Sequence, residues 1–574
     1  MDDKKQPQSE TSRIKASVLK RQEAFQAPLI ALTGEWEEVF QGAAKAAFER
    51  LLPGYLQQWR WFGGKARQLH STVLTEAVRF PYAASVAYWA FVAVAYREGE
   101  PETYVLPLTI VVGQRAEAVQ QRAPQAVLAR VQQTDGEGLL CEAWWEQPFG
   151  EALLAAIAHG QQLQGTAGVL CALPTQAFAD LRGPADVALV PTPLAAEQSN
   201  TSVVYGDRLI LKLFRRVAAG VNPDLELGRF LTERTSFTHI ARVAGALEYR
   251  STTGEPTTVG ILHGFVPNRG DAWAYTLEAL DCFFAAARTQ QSGGHATVPR
   301  QPLLALVEED IPPLVSEVIG PYVASARLLG QRTAELHLAL ASDPEDPRFA
   351  PEPLAAPDQD ALAQSIRGLT TEAFRLLRQR LATLPEAVHG DAHQVLALES
   401  DVLGSVQALS QRPLTALRIR THGDYHLGQV LYTGDDFVIT DFEGEPARLL
   451  SERQGKHSPL KDVAGMLRSF HYAAYAGLFN QDKAAFSSSE ARTALEDWTQ
   501  VWYLWVSSAF VQTYLAYAAP ASLLPPTRDE CQVLLDAYLL EKAVYELNYE
   551  LNNRPDWVHI PLQGIRQLWE AKQG

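Results

Sequence analysis

The front of the chain carries short apolar runs that alternate with polar positions, a pattern typical of β-strands. Residues 85–98 (SVAYWAFVAVAYRE) and 102–113 (ETYVLPLTIVVG), with EGEP at the turn, predict a β-hairpin. Residues 197–216 contain SVVY and RLILKLF on either side of a Gly-Asp turn and predict a second hairpin. Residues 257–268 (TTVGILHGFVPN) predict a strand that leads into a connector.

Apolar residues at the spacing of helices dominate the back of the chain and also occur before the first strands. Helices are predicted at residues 34–52, 222–233, 324–342 and about 529–553. The second of these has Pro223 in its first turn, where proline is well tolerated. Pro/Ala-rich stretches at 345–357 and 520–526 predict loops. A β-rich part and an α-rich part that meet near residue 267 predict an α+β fold.

Composition narrows the class of protein. A chain of 574 residues is too long for one core, and typical domain sizes predict about three or four structural units. No apolar run is long enough to span a bilayer, and the start MDDKKQPQSE lacks the apolar segment of a secretory signal. Four separated Cys without a CxxC pair indicate reduced thiols and argue against a zinc site or a disulfide framework. These features predict a cytoplasmic protein without a membrane partner.

The net charge is −16, and the absence of any Lys/Arg block argues against a nucleic-acid partner. The electrostatic field of this negative net charge would repel a polyanion such as ATP. A nucleotide site would therefore need local positive charge from a lysine or from Mg²⁺. The simplest interpretation of the acidity by itself is solubility.

The tripeptide His-Gly-Asp occurs twice, at 389–391 and at 422–424, each time with a second His two places after the Asp. A phosphotransferase of the protein-kinase type needs a carboxylate for the acceptor hydroxyl. It also needs oxygen ligands for Mg²⁺, one a few residues later and one at a strand end. The second copy is followed by these parts. The first is predicted to be a loop between helices and a chance match, with a place in the acceptor cleft as the alternative.

The second copy supplies the parts in chain order. Asp424 is the predicted base, and Gln429 stands five residues later, where such enzymes usually carry Asn. A predicted hairpin, LYTGDDFVIT, then ends in Asp441-Phe442-Glu443, which is placed like the Asp-Phe-Gly triplet of kinases. Gln429 and Asp441 are predicted to hold Mg²⁺. Glu443 either approaches the metal, directly or through water, or only fixes the loop.

Two histidines flank the predicted base. His426 is a candidate for ordering the catalytic loop or touching the acceptor, and a buried structural role is the alternative. His422 is expected to hold the loop through a hydrogen bond to the backbone. For Asp424 itself, the alternative is a loop aspartate that caps a helix.

A strand lysine is predicted to contact phosphate. Lys212 lies in RLILKLF on the face opposite Leu211 and Leu213, although a lone strand lysine is usually solvated. It precedes a predicted helix that carries Glu226, which is the lysine–glutamate arrangement of kinases. Asp224 is the alternative partner for this lysine.

The predicted phosphate loop and hinge depart from the kinase pattern or follow it only loosely. No GxGxxG is present, and the turn instead contains Gln198, Ser199, Asn200, Thr201 and Ser202. Hydroxyl, amide and backbone N–H groups of this stretch can contact phosphate. The hinge next to adenine is predicted at Gly264, Phe265 and Val266, with an ordinary strand-to-helix connector as the alternative.

Longer stretches around these motifs carry a family resemblance. THGDYHLGQ followed by ITDFEGEPARLLSERQGKHSPLKDVAGMLRSFHYAA resembles the bacterial maltokinases, which are distant relatives of aminoglycoside phosphotransferases and eukaryotic-type protein kinases. Further matching stretches are WRWFGGKARQ (59–68), YVLPL (104–108), GVNPDLELGRFL (220–231), FVPNRGDAWAYTL (265–277), LLGQRTAELHLAL (328–340) and ELNYELNNRPDWVHIPLQGI (546–565). The resemblance covers nearly the whole chain beyond its polar start.

This resemblance implies a kinase that uses ATP and Mg²⁺ to phosphorylate maltose at its anomeric hydroxyl. The product, maltose 1-phosphate, would feed α-glucan (glycogen) synthesis alongside trehalose metabolism. Maltokinases occur alone or fused behind trehalose synthase, which makes that enzyme an implied partner. The implied architecture is a bilobal protein-kinase-like fold with an added N-terminal cap. The expected division is a polar, mobile lead at 1–27, the cap at 28–135, the rest of a β-rich N-lobe at 136–266 and a helical C-lobe at 267–574.

The residues of the acceptor site are the hardest to predict from the sequence. A neutral sugar is expected to be bound by hydrogen-bonding carboxylates and stacking aromatic rings. One predicted helix carries a stripe at three- and four-residue spacing, a pattern that more often marks core packing: Tyr538, Glu541, Lys542, Tyr545, Glu546 and Tyr549. The candidate acceptor residues are Tyr545, Glu546 and Tyr549, together with Arg468 and Tyr472. Trp59, Trp61 and the Gly63-Gly64 pair are predicted to form a junction between cap and lobe.

The catalytic motifs handle phosphate and metal, so they do not select the acceptor. Another sugar such as glucosamine is the alternative substrate, and an aminoglycoside would require a strongly acidic pocket. A catalytically inactive scaffold of the same fold is an alternative of a different class. Intact Lys212, Asp424 and Asp441 argue against it.

Overall fold

Strands occupy the front of the chain and helices the back, as the hydrophobic pattern predicts. The computed structural model describes residues 27–32, 36–133, 136–194, 200–252, 254–290, 296–446, 448–481 and 489–573. Its strands are β1 Leu29–Ala31, β2 Leu69–Tyr82, β3 Ser85–Tyr96, β4 Glu102–Val112, β5 Val127–Gln133, β6 Gly136–Glu142, β7 Gln162–Gln164, β8 Gly168–Pro174, β9 Pro191–Pro193, β10 Asn200–Tyr205, β11 Leu209–Phe214, β12 Arg216–Val217, β13 Val243–Ser251, β14 Pro256–Gly264, β15 Glu352–Pro353, β16 Leu417–Arg418, β17 Val430–Tyr432 and β18 Phe437–Ile439.

The helices vary from single turns to eight turns. They are α1 Gly42–Gln58, α2 Gln114–Arg122, α3 Gln147–Ala158, α4 Phe178–Arg182, α5 Pro223–Arg234, α6 Ala272–Gln290, α7 Leu303–Leu306, α8 Pro313–Ile319, α9 Tyr322–Leu340, α10 Ala356–Arg380, α11 His389–Ala397, α12 Glu399–Gln411, α13 Leu450–Arg453, α14 Leu460–Asn480, α15 Ser489–Ala518, α16 Arg528–Asn553 and α17 His559–Gln573. None of these described helices is long and apolar enough to cross a membrane.

The chain divides into two compact units. The first comprises the chain up to Val221 together with Ala244–Phe265, and the second comprises Asn222–Val243 and the chain from Val266 onward. The first unit contains the large sheets, and the second contains α5 and the helices that follow it.

Two sheets of seven strands each form the first unit. One has the order β1-β5-β6-β4-β3-β2 with β12 paired to β4, and the other has the order β7-β8-β13-β14-β11-β10-β9. The two predicted hairpins are confirmed as the antiparallel pairs β3–β4 and β10–β11. Strand β3 is buried along most of its length because it is covered on both faces. Ala90 and Val92 belong to the core formed with α1, while the Trp89 ring packs on Phe149 of α3.

A buried ion pair joins the first sheet to the second within this unit. Arg215, which follows β11, donates from both terminal nitrogens to the carboxylate of Glu142 at the end of β6, with N···O distances of 2.7 and 2.9 Å. The two side chains are 3% and 0% exposed. The guanidinium also lies over the rings of Trp144 and Trp61, at 3.9 and 4.7 Å from their centroids. Trp61 thus packs on the ion pair between the two sheets, and its predicted role at a junction of cap and lobe stays a prediction.

One continuous hydrophobic core holds the second unit together. Helix α14 is buried on nearly all sides, which marks it as the central helix of this unit. Gly465 allows α14 to approach the loop before β17 closely, because a Cβ at this position would lie 2.5 Å from the carbonyl oxygen of Tyr425. The central helix therefore sets the position of the loop that carries the second His-Gly-Asp.

The structure corrects four local predictions. The predicted helix at 34–52 is a 3-10 turn followed by α1, because Gln41 is extended and interrupts the helix. Asn200, Thr201 and Ser202 lie in strand β10 and not in a turn, because their backbones pair with β11. His389–Asp391 begins helix α11 and is not a loop, since the 3-10 turn before it continues into a helix that buries Ala392 and Val395. The predicted loop at 345–357 also contains β15.

Replacing Arg215 with Met should lower the free energy of unfolding by about 3–5 kcal/mol, because it leaves the Glu142 charge buried and unpaired. The matched control is Arg216→Met, which removes a half-exposed guanidinium next in sequence and should cost less than about 1 kcal/mol. Urea unfolding followed by tryptophan fluorescence measures both. Equal losses in the two variants would contradict the proposed importance of the buried pair.

Candidate active site

The loop that carries His422, Gly423 and Asp424 is held by a single buried carboxylate. Asp462, in the first turn of α14, accepts the backbone N–H of His422 at 2.7 Å and that of Gly423 at 3.0 Å. His337 of α9 lies 3.1 Å from the same carboxylate. Gly423 has φ +85°, a conformation that favours glycine. The backbone of His422 and Gly423 is therefore fixed by contacts to the core, and Asp424 is the next residue in the chain.

His422 joins this loop to the strand that ends in the Asp-Phe-Glu triplet. Its Nε2 lies 2.9 Å from the carbonyl oxygen of Thr440, which makes Nε2–H the donor. Its Nδ1 then accepts the backbone N–H of Asp424 at 3.4 Å. This is the backbone-bonding role expected for this histidine.

The predicted hairpin is confirmed as β17–β18, in which Val430 pairs with Ile439. The backbone N–H of Thr440 donates to the carbonyl of Gln429 at 2.9 Å. Gln429 and Asp441 therefore stand at the same end of the hairpin. Asp441 has φ +67°, a left-handed conformation that costs a non-glycine residue about 1–3 kcal/mol and clusters at functional sites.

The turn after Asp441 is held by a second aspartate. Asp224 of α5 is 1% exposed, and its carboxylate accepts the backbone N–H of Phe442 at 3.0 Å. Its neighbour Glu226 instead pairs with Arg420, at 2.6 Å. Lys212 belongs to the first unit and Glu226 to the second, so their predicted pairing stays a prediction.

The carboxylate of Asp424 has a partly buried lysine beside it. Lys542 of α16 donates from Nζ to Asp424 Oδ1 at 3.1 Å and lies 3.5 Å from Glu445. Burial alone would raise the pKa of Asp424, but Lys542, with His426 and His422, holds this pKa below its usual range. The Asp424 carboxylate is therefore ionised at neutral pH.

His426 lies close to the base without a short contact to it. Its Nε2 is 3.9 Å from Asp424, and its Nδ1 accepts the backbone N–H of Gly428 at 3.1 Å. Burial lowers the pKa of His426, although the Asp424 charge opposes the shift. The ring is therefore neutral near pH 7 and orders the turn after the catalytic loop.

A polar hollow opens beside Asp424. Its lining combines aromatic rings with paired charges: Gly423, Asp424, Tyr425, Glu445, Arg448, Lys461, Asp462, Gly465, Tyr538, Glu541, Lys542 and Tyr545. Arg448 lies 2.5 Å from Glu445 and 3.2 Å from Glu541. Burial would raise the pKa of Glu445, but Lys542, Lys461 and Arg448 lower it. The carboxylates of Asp424 and Glu445 are thus ionised and compensated by neighbouring cations.

The structure brings only some of the predicted acceptor residues to this hollow. Tyr545 lines it, and its ring centroid is 5.2 Å from Lys542 Nζ. Arg468 is 2% exposed and bonds to Glu546 at 2.7 Å, which indicates a structural pair. The hydroxyl of Tyr472 donates to Glu550 at 3.1 Å. Tyr549 is 46% exposed and lies outside the lining of the hollow.

The predicted nucleotide residues in the first unit lie on its second sheet. Lys212 is at the middle of β11, between Ser202 of β10 and Ile261 of β14. Thr201 accepts a hydrogen bond from Arg215 Nε at 2.8 Å. Gln198 and Ser199 lie outside the described residues. Of the predicted hinge, Gly264 ends β14, Phe265 donates its N–H to the Arg208 carbonyl at 2.8 Å, and Val266 begins the second unit.

The two His-Gly-Asp copies differ in their surroundings. Asp391 lies in the first turn of α11, and its carboxylate is 3.5 Å from the Gln563 amide. The segment after it remains helical and provides no hairpin. The second copy alone is followed by β17–β18.

Sequence reasoning missed four functional candidates: Asp462, Lys542, Glu445 and Arg448. Asp462 lies in SPLKD (458–462) and Glu445 in EGEP (443–446), two stretches that carry the family resemblance. The sequence of neither stretch indicates a contact with the loop at 422–424. Lys542 belongs to the predicted stripe, and 118 residues separate it from Asp424. No local pattern signals such a pair.

The oxygen ligands at the end of the hairpin fit Mg²⁺. Within the described ranges, no group of three His, Cys, Asp or Glu side chains is arranged to hold a metal ion. Mg²⁺ usually takes only one or two protein carboxylates and completes its coordination with phosphate oxygens and water. Asp441 and the neutral amide of Gln429 match this requirement, with Glu443 next in the same turn.

Residues 55–145 match the family model of the maltokinase N-terminal cap domain. The chain is 23% identical over 382 residues to a glucosamine kinase of Streptacidiphilus jiangxiensis, covering 65% of this chain and 72% of the relative. It is 25% identical over 374 residues to a glucosamine kinase of Mycolicibacterium smegmatis, covering 64% and 77%.

Solved structures share the fold. A glucosamine kinase in complex with glucosamine, ADP and inorganic phosphate superposes with a TM-score of 0.58 and 17% identity, over 94% of this chain and 100% of the other. A crystal form of a glucosamine kinase gives a TM-score of 0.56 and 18% identity, over 94% and 99%. The predicted α+β, kinase-like fold with an N-terminal cap is confirmed. The match to the maltokinase cap and the likeness to glucosamine kinases support the predicted resemblance to a maltokinase-type family.

Proposed function

We propose that this protein is an ATP-dependent sugar kinase that transfers the γ-phosphate of ATP to the anomeric hydroxyl of maltose and forms maltose 1-phosphate. The observation that carries the proposal is the ionised Asp424, which lines a polar hollow next to the hairpin that ends in Asp441. The match of residues 55–145 to the maltokinase cap supports maltose as the acceptor.

In this mechanism Asp424 accepts the proton of the sugar hydroxyl. The sugar oxygen forms a bond to the γ-phosphorus, and the bond from that phosphorus to the β–γ bridging oxygen breaks, which leaves ADP. Lys542 keeps Asp424 ionised, and Asp462 fixes the backbone of the two residues before Asp424. General-base assistance of this kind contributes about 10²- to 10⁴-fold in rate.

Gln429 and Asp441 would hold Mg²⁺, with Glu443 close enough in sequence to act through water. Bound there, Mg²⁺ supplies positive charge next to the phosphates of the nucleotide. Lys212 and the strand residues Asn200–Ser202 are the proposed phosphate contacts of the first unit, and Gly264, Phe265 and Val266 the proposed hinge. This local positive charge offsets the field of a chain whose net charge is −16.

The charges of the hollow favour a neutral acceptor. Asp424 is paired with Lys542, and Glu445 and Glu541 are paired with Arg448. A neutral sugar binds to such groups through hydroxyl hydrogen bonds and leaves the ion pairs intact. Tyr545 supplies an aromatic surface for stacking. An ammonium-bearing sugar would compete with Lys542 or Arg448 for these carboxylates.

The second candidate is a glucosamine kinase. It is favoured by the two curated relatives and by the solved structures, all of which carry that name. It would require one carboxylate of the hollow to leave its cation and meet the amino group of the sugar.

Asp424→Asn should lower kcat by about 10²- to 10⁴-fold and leave nucleotide affinity nearly unchanged, because it removes the proton acceptor without touching the phosphate contacts. Asp391→Asn is the matched control, since it makes the same change in the other His-Gly-Asp and should stay close to the native kcat. Steady-state transfer assays and calorimetric titration with ADP measure the two effects. Near-native turnover of Asp424→Asn would refute the assignment of the base.

The acid limb of the kcat/KM profile should lie at low pH in the native protein, since the pKa of Asp424 is lowered. In Lys542→Met the positive charge that lowers this pKa is gone, while burial still raises it. The pKa of Asp424 then rises, and the limb should move about one to three pH units upward. Lys45→Met, on the exposed side of α1, is the control and should leave the limb in place. An unmoved limb in Lys542→Met would mean that another group controls it.

A panel of maltose, glucose, trehalose, glucosamine and an aminoglycoside separates the candidate functions. With ATP and Mg²⁺, we expect turnover on maltose and a product whose phosphorus NMR signal shows an anomeric phosphate. Turnover on glucosamine alone would select the second candidate. ATP binding without transfer to any sugar would favour a scaffold over an enzyme.

A further inference from the structure

A second hollow, of about 400 Å³, lies on the second unit around Arg420. Four cations line it, Arg348, Arg418, Arg420 and Lys456, together with two carboxylates, Glu226 and Glu352. None of these residues lines the hollow beside Asp424. The proposed function assigns no role to the four cations.

Arg420 has hydrogen-bond donors that the described part of the chain leaves without an acceptor. Its side chain is 3% exposed, and its Nη1 donates to Glu226 at 2.6 Å. Its Nε and Nη2 are buried and have no hydrogen-bond partner among the described residues. A buried N–H without an acceptor costs about 1–3 kcal/mol, so native structures normally supply one. Arg420 also lines the hollow, from which an acceptor can approach its guanidinium.

Arg418 repeats this pattern. Its terminal nitrogens pair with Glu352 at 3.0 Å and Asp358 at 2.8 Å, while its Nε is buried without a partner. Arg348 pairs with Asp346 at 2.6 Å, and Lys456 with Glu352 at 2.6 Å. The charges are therefore largely balanced, and what is missing is a set of acceptors for guanidinium N–H groups.

We propose that this hollow binds a phosphoryl oxyanion, either inorganic phosphate or the phosphoryl group of a small metabolite. A tetrahedral oxyanion offers several acceptor oxygens, and planar guanidinium groups bind such oxygens in pairs. Arg420 and Arg418 supply the buried donors, and the exposed Arg348 lines the same hollow. The proposal does not depend on the sugar that the protein phosphorylates.

The position of the hollow suits an effector. Arg420 stands two residues before His422 in the chain. Its partner Glu226 lies on α5, the same helix whose Asp224 holds the turn after Asp441. A bound oxyanion therefore contacts both elements that position the proposed reacting groups.

Isothermal titration calorimetry of the full chain, without nucleotide or sugar, tests the proposal. Inorganic phosphate and glucose 1-phosphate are the two probes, each compared with chloride at equal ionic strength. We expect one saturable site for at least one phosphoryl probe. The double variant Arg420→Met with Glu226→Met removes both members of the buried pair, and Arg348, the second partner of Glu226, keeps its pair with Asp346. This variant should weaken the site at least tenfold. Tighter binding of inorganic phosphate would identify the free anion, and tighter binding of glucose 1-phosphate a metabolite.

Two further variants keep the result interpretable. Arg348→Met changes a side chain that is 60% exposed and should weaken the site several-fold. Arg375→Met, which removes an exposed guanidinium from α10, is the matched control and should bind like the native chain. Absence of saturable binding, or equal binding in the native chain, the double variant and Arg348→Met, would overturn the proposal. Since no transfer is measured, failure of the proposed kinase activity would not affect this result.

Discussion

The buried carboxylate of Asp462 is the contact on which the candidate active site depends. It accepts the backbone N–H groups of His422 and Gly423 and lies beside His337, all at 3.1 Å or less. An ionised group that is 1% exposed must be hydrogen-bonded, because an unpaired charge in such surroundings is too costly. The central helix thus fixes the two backbone positions that precede the proposed base. The position of Asp424 depends on this fixed loop.

Charge pairing explains how an acidic chain maintains the polar hollow beside Asp424. With a net charge of −16, the protein has no excess of cations to distribute. It places Lys542 between Asp424 and Glu445, and Arg448 between Glu445 and Glu541. Each cation serves two carboxylates, so the hollow stays polar without a large local charge. Such an environment suits hydroxyl groups better than free ions and links the electrostatics of the site to the class of substrate.

The strained backbone of Asp441 and the wrong local predictions have the same cause. In each case tertiary contacts override the conformational preference of the local sequence. Asp441 keeps φ +67° because Asp224 holds the next residue and His422 binds the previous one. Asn200–Ser202, polar and turn-like in sequence, form a strand because β11 offers them hydrogen-bond partners. The first His-Gly-Asp lies in a helix although its sequence equals that of the catalytic loop. The surroundings, and not the tripeptide, decide the structure.

The sequence alone determined the order of strands and helices and the hairpin after Gln429, because these depend on patterns within about twenty residues. Its motifs also predicted the roles of Asp424 and Asp441 and carried the resemblance to the maltokinases. Only the tertiary structure decided that Lys542 meets Asp424 across 118 residues, and that Asp462 holds the catalytic loop. It also decided that Arg468 and Glu546 form a structural pair and that Arg420 keeps unused donors. Which remote residues meet, and which side chains become buried, is decided when the helices pack together. The periodicity of a single segment does not contain this information.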